Sequence, residues 1–327
     1  MKLLKLVPED TNIKFLRLRL PFFIISLLTV IASWAAVATM GLNYGVDFAG
    51  GQEIRATFTQ SKEAPVAELR TLVADVEQVS DDPVVQRFGE DNQVSIRVKL
   101  PAEAEGNPEY ANEMTSAIVT TLEGQYEDIR IDGVDSVSGK VSNEFRNDAA
   151  LALIAAMIAV AIYIWVRFEW QFGVGALFAL FHDVSLTLGL FAITQMEFSL
   201  QIIAAILAII GYSLNDTIVV FDRIRENLKK FRKMPLPELL DLSINETLAR
   251  TVMTSLTLLI ALLPLLFYGP ASLFGLVAAI TFGLFVGTYS SVYLASPILI
   301  WLGVTSNSFI PVETDADRQE KKVLGGA

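Results

Sequence analysis

The chain has 327 residues, 53% of them hydrophobic, a mean hydropathy of +0.48 and a formal charge of −11 at neutral pH. That apolarity places it among polytopic membrane proteins. With no cysteine and one histidine, His182, it excludes disulfides, thiolate metal sites and multi-histidine metal centres, and no cofactor is indicated.

The charge is localised. Between Gly45 and Arg146 stand 20 Asp and Glu against 9 Lys and Arg, while the rest of the chain carries 16 of each sign. One acidic, water-facing insert is implied. No basic patch is there to meet phosphates, so a nucleic-acid partner is excluded.

Six apolar segments are predicted to span a bilayer: residues 20–40, 149–166, 172–194, 198–221, 251–268 and 271–302. The first ends in Ala36-Val37-Ala38, which looks like a signal cleavage site. Its apolar core is too long for a secretory signal, and it reads as an uncleaved signal-anchor. Next comes GLNYGVDFAGG at 41–51, a specialised exit turn. Gly41, Gly45, Gly50 and Gly51 permit unusual backbone angles and close approach there, and Asp47 can cap a turn.

The insert has its own pattern. Residues 52–59 (QEIRATFT) alternate as a half-buried strand does, and 65–79 place Val66, Leu69, Val73 and Val76 at helical spacing. Strands are predicted at 83–88 and 93–100 around a turn at 89–92, then a helix at 108–122 and a strand at 128–137. The βαββαβ order predicts an α+β, ferredoxin-like domain. It shows no nucleophile–base pair and no phosphate loop, which favours a binding or lever module over a catalytic one.

The third segment contains Phe181-His182-Asp183-Val184. His182 and Asp183 are candidates either for hydrogen bonding between helices or for handling protons, and the sequence leaves both open. In the fourth, Asn215–Asp216 sits inside an apolar run. A carboxylate there costs on the order of 2.5–3.5 kcal/mol on insertion scales, which makes it a candidate functional site, the alternative being a helix-end residue reaching toward water. Two membrane aspartates also raise an intramembrane aspartyl protease, which needs facing carboxylates sharing a proton. Nothing else points to that chemistry.

A charged stretch follows, opening with Asp222 and Arg223 and interrupted by Pro235 and Pro237. It reads as an amphipathic surface segment over 222–246. On the fifth segment Thr247, Arg250, Thr251, Thr254 and Thr257 recur every three or four residues. That spacing predicts a polar stripe running inward from Arg250, which then stands level with Asp216 as an ion-pair or relay partner. The last segment is long, holds Pro297, and predicts a tilt or break; its Gly283 and Gly287 suit close helix packing.

Lys and Arg fix the orientation. Lys2, Lys5, Lys14, Arg17 and Arg19, then Arg167, the basic residues of 223–250, and Arg318, Lys321 and Lys322 all fall on one side if six helices alternate. By the positive-inside rule that side is the cytoplasm. The predicted layout is a cytoplasmic N-terminus 1–19, helix 20–40, a periplasmic domain 41–147, helices two to six over 148–302, and a cytoplasmic tail 303–327.

GLNYGVDFAGG at 41–51, FHDV at 181–184, GYSLNDTIVVFDRIREN at 211–227 and NETLARTVMTSLTLL at 245–259 together resemble the SecF subunits of the SecD/SecF protein-export family, in the resistance–nodulation–division superfamily. The resemblance covers nearly the whole chain. It implies a non-enzymatic subunit of the bacterial inner membrane, forming a heterodimer with SecD, which supplies six further helices. Proton flow would move the outer domains, drawing an unfolded polypeptide outward after the SecA motor and the SecYEG channel. Asp216 would carry the proton with Arg250 as its neighbour, and Asn215 and Thr254 would flank the path. The alternatives are half of a small-molecule or lipid exporter of that superfamily, or a translocon scaffold in which Asp216 is structural.

Overall fold

The computed structural model describes Pro8, residues 11–79, 83–101, Ala104 and 107–305. Lys2, Lys5 and the tail with Arg318, Lys321 and Lys322 lie outside the described residues.

After a 3₁₀ turn at Phe15–Leu18, α1 (Arg19–Met40) leads to the short α2 (Val46–Ala49). The inserted domain runs β1 (Gly51–Phe58), α3 (Val66–Ala74), β2 (Val84–Phe88), β3 (Glu90–Val98), α4 (Pro108–Gln125) and β4 (Ile129–Val137). Five long helical elements follow: α5 (Gly139–Arg167), α6 (Trp170–Thr194), α7 (Leu200–Lys230), α8 (Leu236–Tyr268) and α9 (Ala271–Ser290), the last continued by a π-helical segment at Ser291–Ala295 and α10 (Ser296–Trp301). Among the described residues, six helices are long and apolar enough to cross a membrane. The end of the bundle that carries the sheet domain is called outer below.

The sheet is antiparallel throughout, in the order β2-β3-β1-β4. Ile54, Ala56 and Phe58 alternate onto one face, where they meet Leu69, Met114 and Ile118 from the two helices. Asn107 caps α4, its side chain accepting from the Glu109 amide at 3.0 Å, and Pro108 takes the first turn, where a missing N–H costs nothing. β1 reads as half-buried, yet both its faces are covered. Glu53 and Thr57 on the polar face are buried as well, because that face lies over the outer ends of the helices.

Two apolar clusters fill the bundle. The inner one centres on Phe172, Phe221, Leu240 and Leu299; the outer one on Phe191, Phe198, Ile202 and Ile206, and it includes Phe48 of α2. The exit turn is thus part of the helical core. On α9, a Cβ at Gly283 would overlap Ile209 and one at Gly287 would lie 3.0 Å from the Ser213 side chain. The glycine pair brings α9 against α7.

Residues 222–246 form no separate surface helix. α7 continues unbroken through Asp222 and Arg223 to Lys230, and α8 begins at Leu236 behind Pro235, so the charged stretch is the paired inner ends of two membrane helices. The reason is lateral anchoring. Asp222 accepts from Arg167 of α5 at 2.9 Å, Arg223 donates to Glu246 of α8 at 2.7 Å, and Asn227 bonds both Ser243 and Glu246. The break expected near Pro297 is the π segment just before it.

Candidate functional site

Asp216 projects from α7 toward α8 and is 3% exposed. Its Oδ1 accepts from Thr251 Oγ1 at 2.8 Å. Its Oδ2 is buried, makes no hydrogen bond of ordinary geometry among the described residues, and has the Ser291 side chain close by. Ser291 opens the π segment, whose extra residue per turn re-aims side chains and is frequent at functional sites.

One turn before Asp216 on the same helix, Ser213 donates to Asp183 Oδ2 at 2.6 Å. Ser290 donates to the same oxygen at 2.9 Å, and His182 Nδ1 lies 2.9 Å from Asp183 Oδ1. Asp183 therefore joins α6, α7 and α9 and has both oxygens bonded. His182 Nε2 is buried without a partner among the described residues. The two aspartates make no hydrogen bond to each other; serines flank both. Level with Ser213, one turn outward of Asp216 and Thr251, Tyr212, Ser255 and Thr288 link α7, α8 and α9 at 2.9 and 3.0 Å. A polar column thus runs through an apolar bundle. Such groups are held there only where each finds partners or exchanges protons.

The exit turn docks on the connection between α6 and α7. Gly41, Gly50 and Gly51 take φ of 71°, 73° and 111°, which bend the chain out of α1, around α2 and into β1. The Gly45 amide donates to Phe198 O and the Phe198 amide to Asn43 O, forming a short bridge. Asn43 donates to Gln195 O at 2.8 Å and Gln86 at 3.0 Å. Asp47 Oδ2 accepts from the Leu200 amide at 2.8 Å, satisfying an orphan donor at the start of α7. Asp216 lies on that same helix, about 24 Å further in at 1.5 Å per residue.

Two family models match the chain. One, described as "Protein export membrane protein SecD/SecF, C-terminal", covers residues 117–305; the other, "SecD/SecF GG Motif", covers residues 35–62. The chain belongs to the SecD/SecF family. A SecF protein translocase subunit of Rhodobacter capsulatus is 44% identical, with 93% of each chain covered, and that of Pseudomonas aeruginosa is 37% identical over 92% of this chain and 94% of that one. A SecDF translocase subunit of Brucella abortus is 37% identical over 96% of this chain, which spans 39% of it. The crystal structure of SecDF from Thermus thermophilus, a translocon-associated membrane protein, superposes with a TM-score of 0.82 at 31% identity. That likeness covers 91% of this chain and 39% of the SecDF chain. In such SecDF proteins the SecD and SecF parts occupy one chain, which pairs the two halves.

The SecD/SecF glycine motif is therefore the turn that grips α7, and Asp216 stands inside the C-terminal family region. The other expected residues divide. Arg250 is exposed on α8 and forms no ion pair with Asp216 among the described residues; its neighbour Thr251 fills the place beside the carboxylate. Asn215 and Thr254 are exposed too, Thr254 donating back to the Arg250 and Thr251 carbonyls of its own helix. Thr251 was visible in the stripe of threonines. Ser213, Ser290 and Ser291 carried no signal, because a serine in an apolar helix gains meaning only from what faces it.

Proposed function

We propose that the chain is an accessory subunit of the Sec protein translocase that pairs with SecD and uses the proton motive force to promote late export of polypeptides across the inner membrane. The observation that carries this reading is Asp216: a buried carboxyl with one oxygen on Thr251 of the next helix and the other, beside Ser291, with no bond of ordinary geometry among the described residues. Such a group can take up or release a proton, and either event alters the contact between α7 and α8. Asp183, with both oxygens occupied, fits a fixed strut instead. Arg250, on the open face of α8, stands ready to pair with Asp216 in another arrangement or with acidic groups of SecD. One charge crossing the membrane yields about 2.3 kcal/mol per 100 mV, enough to bias two helix packings.

The output runs along α7. Its outer end is held by Asp47 and the bridge at Gly45, so movement of α7 reaches β1 directly. The strand order and pairing support a ferredoxin-like lever, and the basic inner loops, with outer connections that lack Lys and Arg, favour a periplasmic position for it. Both termini are then cytoplasmic. SecYEG with SecA would hand over the unfolded polypeptide.

The test is export into inverted membrane vesicles carrying Asp216→Asn, with and without a proton gradient, with SecD co-purification as the check on assembly. Normal assembly with gradient stimulation lost is the expected result. Unchanged stimulation would make Asp216 structural.

A further inference from the structure

The polar face of the sheet carries a second pair of carboxyl groups, outside the membrane column. Glu53 on β1 is 1% exposed and stands in register with Arg97 on β3 and Asp135 on β4. Its Oε1 accepts from Ser95 Oγ at 2.6 Å and its Oε2 from Arg55 at 2.8 Å. Glu197, in the connection between α6 and α7, faces it from the helical side across a shared cavity, close enough for the two carboxyl groups to act on each other. Glu197 also lies against Gly45, where any Cβ would collide with its carboxyl group. Two carboxyl groups that face each other in a partly buried site repel when both are charged, which favours a proton on one of them.

The charges around the pair are few and mostly committed. Arg55 also pairs with Asp135 at 2.7 Å, and Arg97 donates to Asn43 Oδ1 at 2.6 Å and to the Tyr44 carbonyl. Further along the same face, Arg87 pairs with Glu63, and Asp47 is engaged with Leu200. Both glutamates line a cavity of about 680 Å³ between the sheet and the outer ends of α7 and α9. A cavity of that size has room for water beside the pair.

We propose that Glu197, protonated and seated against Gly45 opposite Glu53, acts as a clasp holding the sheet domain on the outer ends of the membrane helices, and that loss of its proton releases the domain. The site binds a proton; it concerns docking, and it stands whether or not Asp216 exchanges protons. Burial and the negative charge of Glu53 push the Glu197 carboxyl up to about 7, against the pull of Arg97 and Arg55. Undocked, in water, it returns toward its ordinary 4.5. A docked value above the free one means that the clasp is fully closed below about 4.5 and is lost as pH rises through about 7. That difference is worth about two orders of magnitude in the docking equilibrium.

The chain has no cysteine, so labels go only where they are placed. Spin labels at Glu123→Cys on α4 and Phe267→Cys at the outer end of α8, both exposed, report the distance between domain and bundle. The full-length protein in lipid nanodiscs is measured by double electron–electron resonance on either side of about pH 7. One narrow distance is expected on the acid side, and a second, longer population on the alkaline side. Glu197→Gln keeps a donor for Glu53 without a titrating proton and stays at the short distance throughout. Glu53→Gln removes the neighbouring charge and moves the midpoint toward acid. A distance that ignores pH in the unsubstituted protein, a pH shift that persists in Glu197→Gln, or an unmoved midpoint in Glu53→Gln each overturns the proposal.

Discussion

Thr251 Oγ1 donates to Asp216 Oδ1 across 2.8 Å, and this bond joins α8 to α7 deep in the bundle. A hydrogen bond to a charged group contributes about 1.5–3 kcal/mol when its acceptor is ionised and less when it is neutral. The bond therefore differs between the protonation states of Asp216. It is also where a change of state can reach the neighbouring helix.

Thr251→Val keeps the shape and removes the donor; Thr251→Ser keeps the donor. Gradient-stimulated export is expected to fall about tenfold or more in the valine variant, in line with a lost charged hydrogen bond. The serine variant should retain most of it. Equal rates for both, in complexes that still co-purify SecD, would show that the bond plays no part.

Arg250 gives a different test because it is exposed and makes no ion pair to Asp216 among the described residues. An exposed substitution changes stability by no more than about 0.5 kcal/mol, so Arg250→Ala should leave thermal unfolding nearly unmoved. Export under a gradient should nevertheless drop, with Arg250→Lys intermediate, since lysine keeps the charge and loses the planar fork. If both variants export normally in stable complexes, pairing of Arg250 with Asp216 is not a step in the cycle.

Much of this was legible in the residues. The six apolar runs, the four strands and two helices of the insert, and the intramembrane Asp216 follow from period, length and the cost of burying charge. The boundaries that moved have physical causes. The stretch at 222–246 reads as a surface helix because it is charged, but the contacts of Asp222, Arg223 and Asn227 with α5 and α8 let α7 run on to Lys230. β1 alternates like a strand with one wet face, and only the docking of that face on the bundle buries Glu53. Arg250 and Thr251 are adjacent on a helix, so their side chains point about 100° apart. A stripe of period three or four does not say which of them meets the neighbour.

Asp47 ties the exit turn to α7 by accepting from the Leu200 amide at 2.8 Å. Loss of such a terminal acceptor costs about 1 kcal/mol, so Asp47→Ala should lower thermal stability by that order, and Asp47→Asn, which keeps an acceptor, by less. The informative readout is the ratio of gradient-stimulated to basal export. If α7 drives the domain through this bond, the ratio falls in Asp47→Ala while basal export holds. A fall in both together would mark Asp47 as a fold residue alone.

The glycine pair on α9 tests whether the polar column depends on helix spacing. A Cβ at Gly283 overlaps the Ile209 side chain, so Gly283→Ala should cost about 1–3 kcal/mol through overpacking, read as a lowered unfolding temperature in detergent. Ile209→Ala frees that space, and the double variant should regain part of the loss, which a general propensity effect of alanine in a helix would not give. At Gly287 the neighbour is Ser213, whose hydroxyl bonds Asp183 at 2.6 Å. Gly287→Val must therefore push away the helix that holds both Ser213 and Asp216. It is expected to lose gradient stimulation out of proportion to its loss of stability, whereas Gly283→Ala with Ile209→Ala should keep the two in step. If Gly287→Val exports normally, the spacing of α7 and α9 does not tune the column.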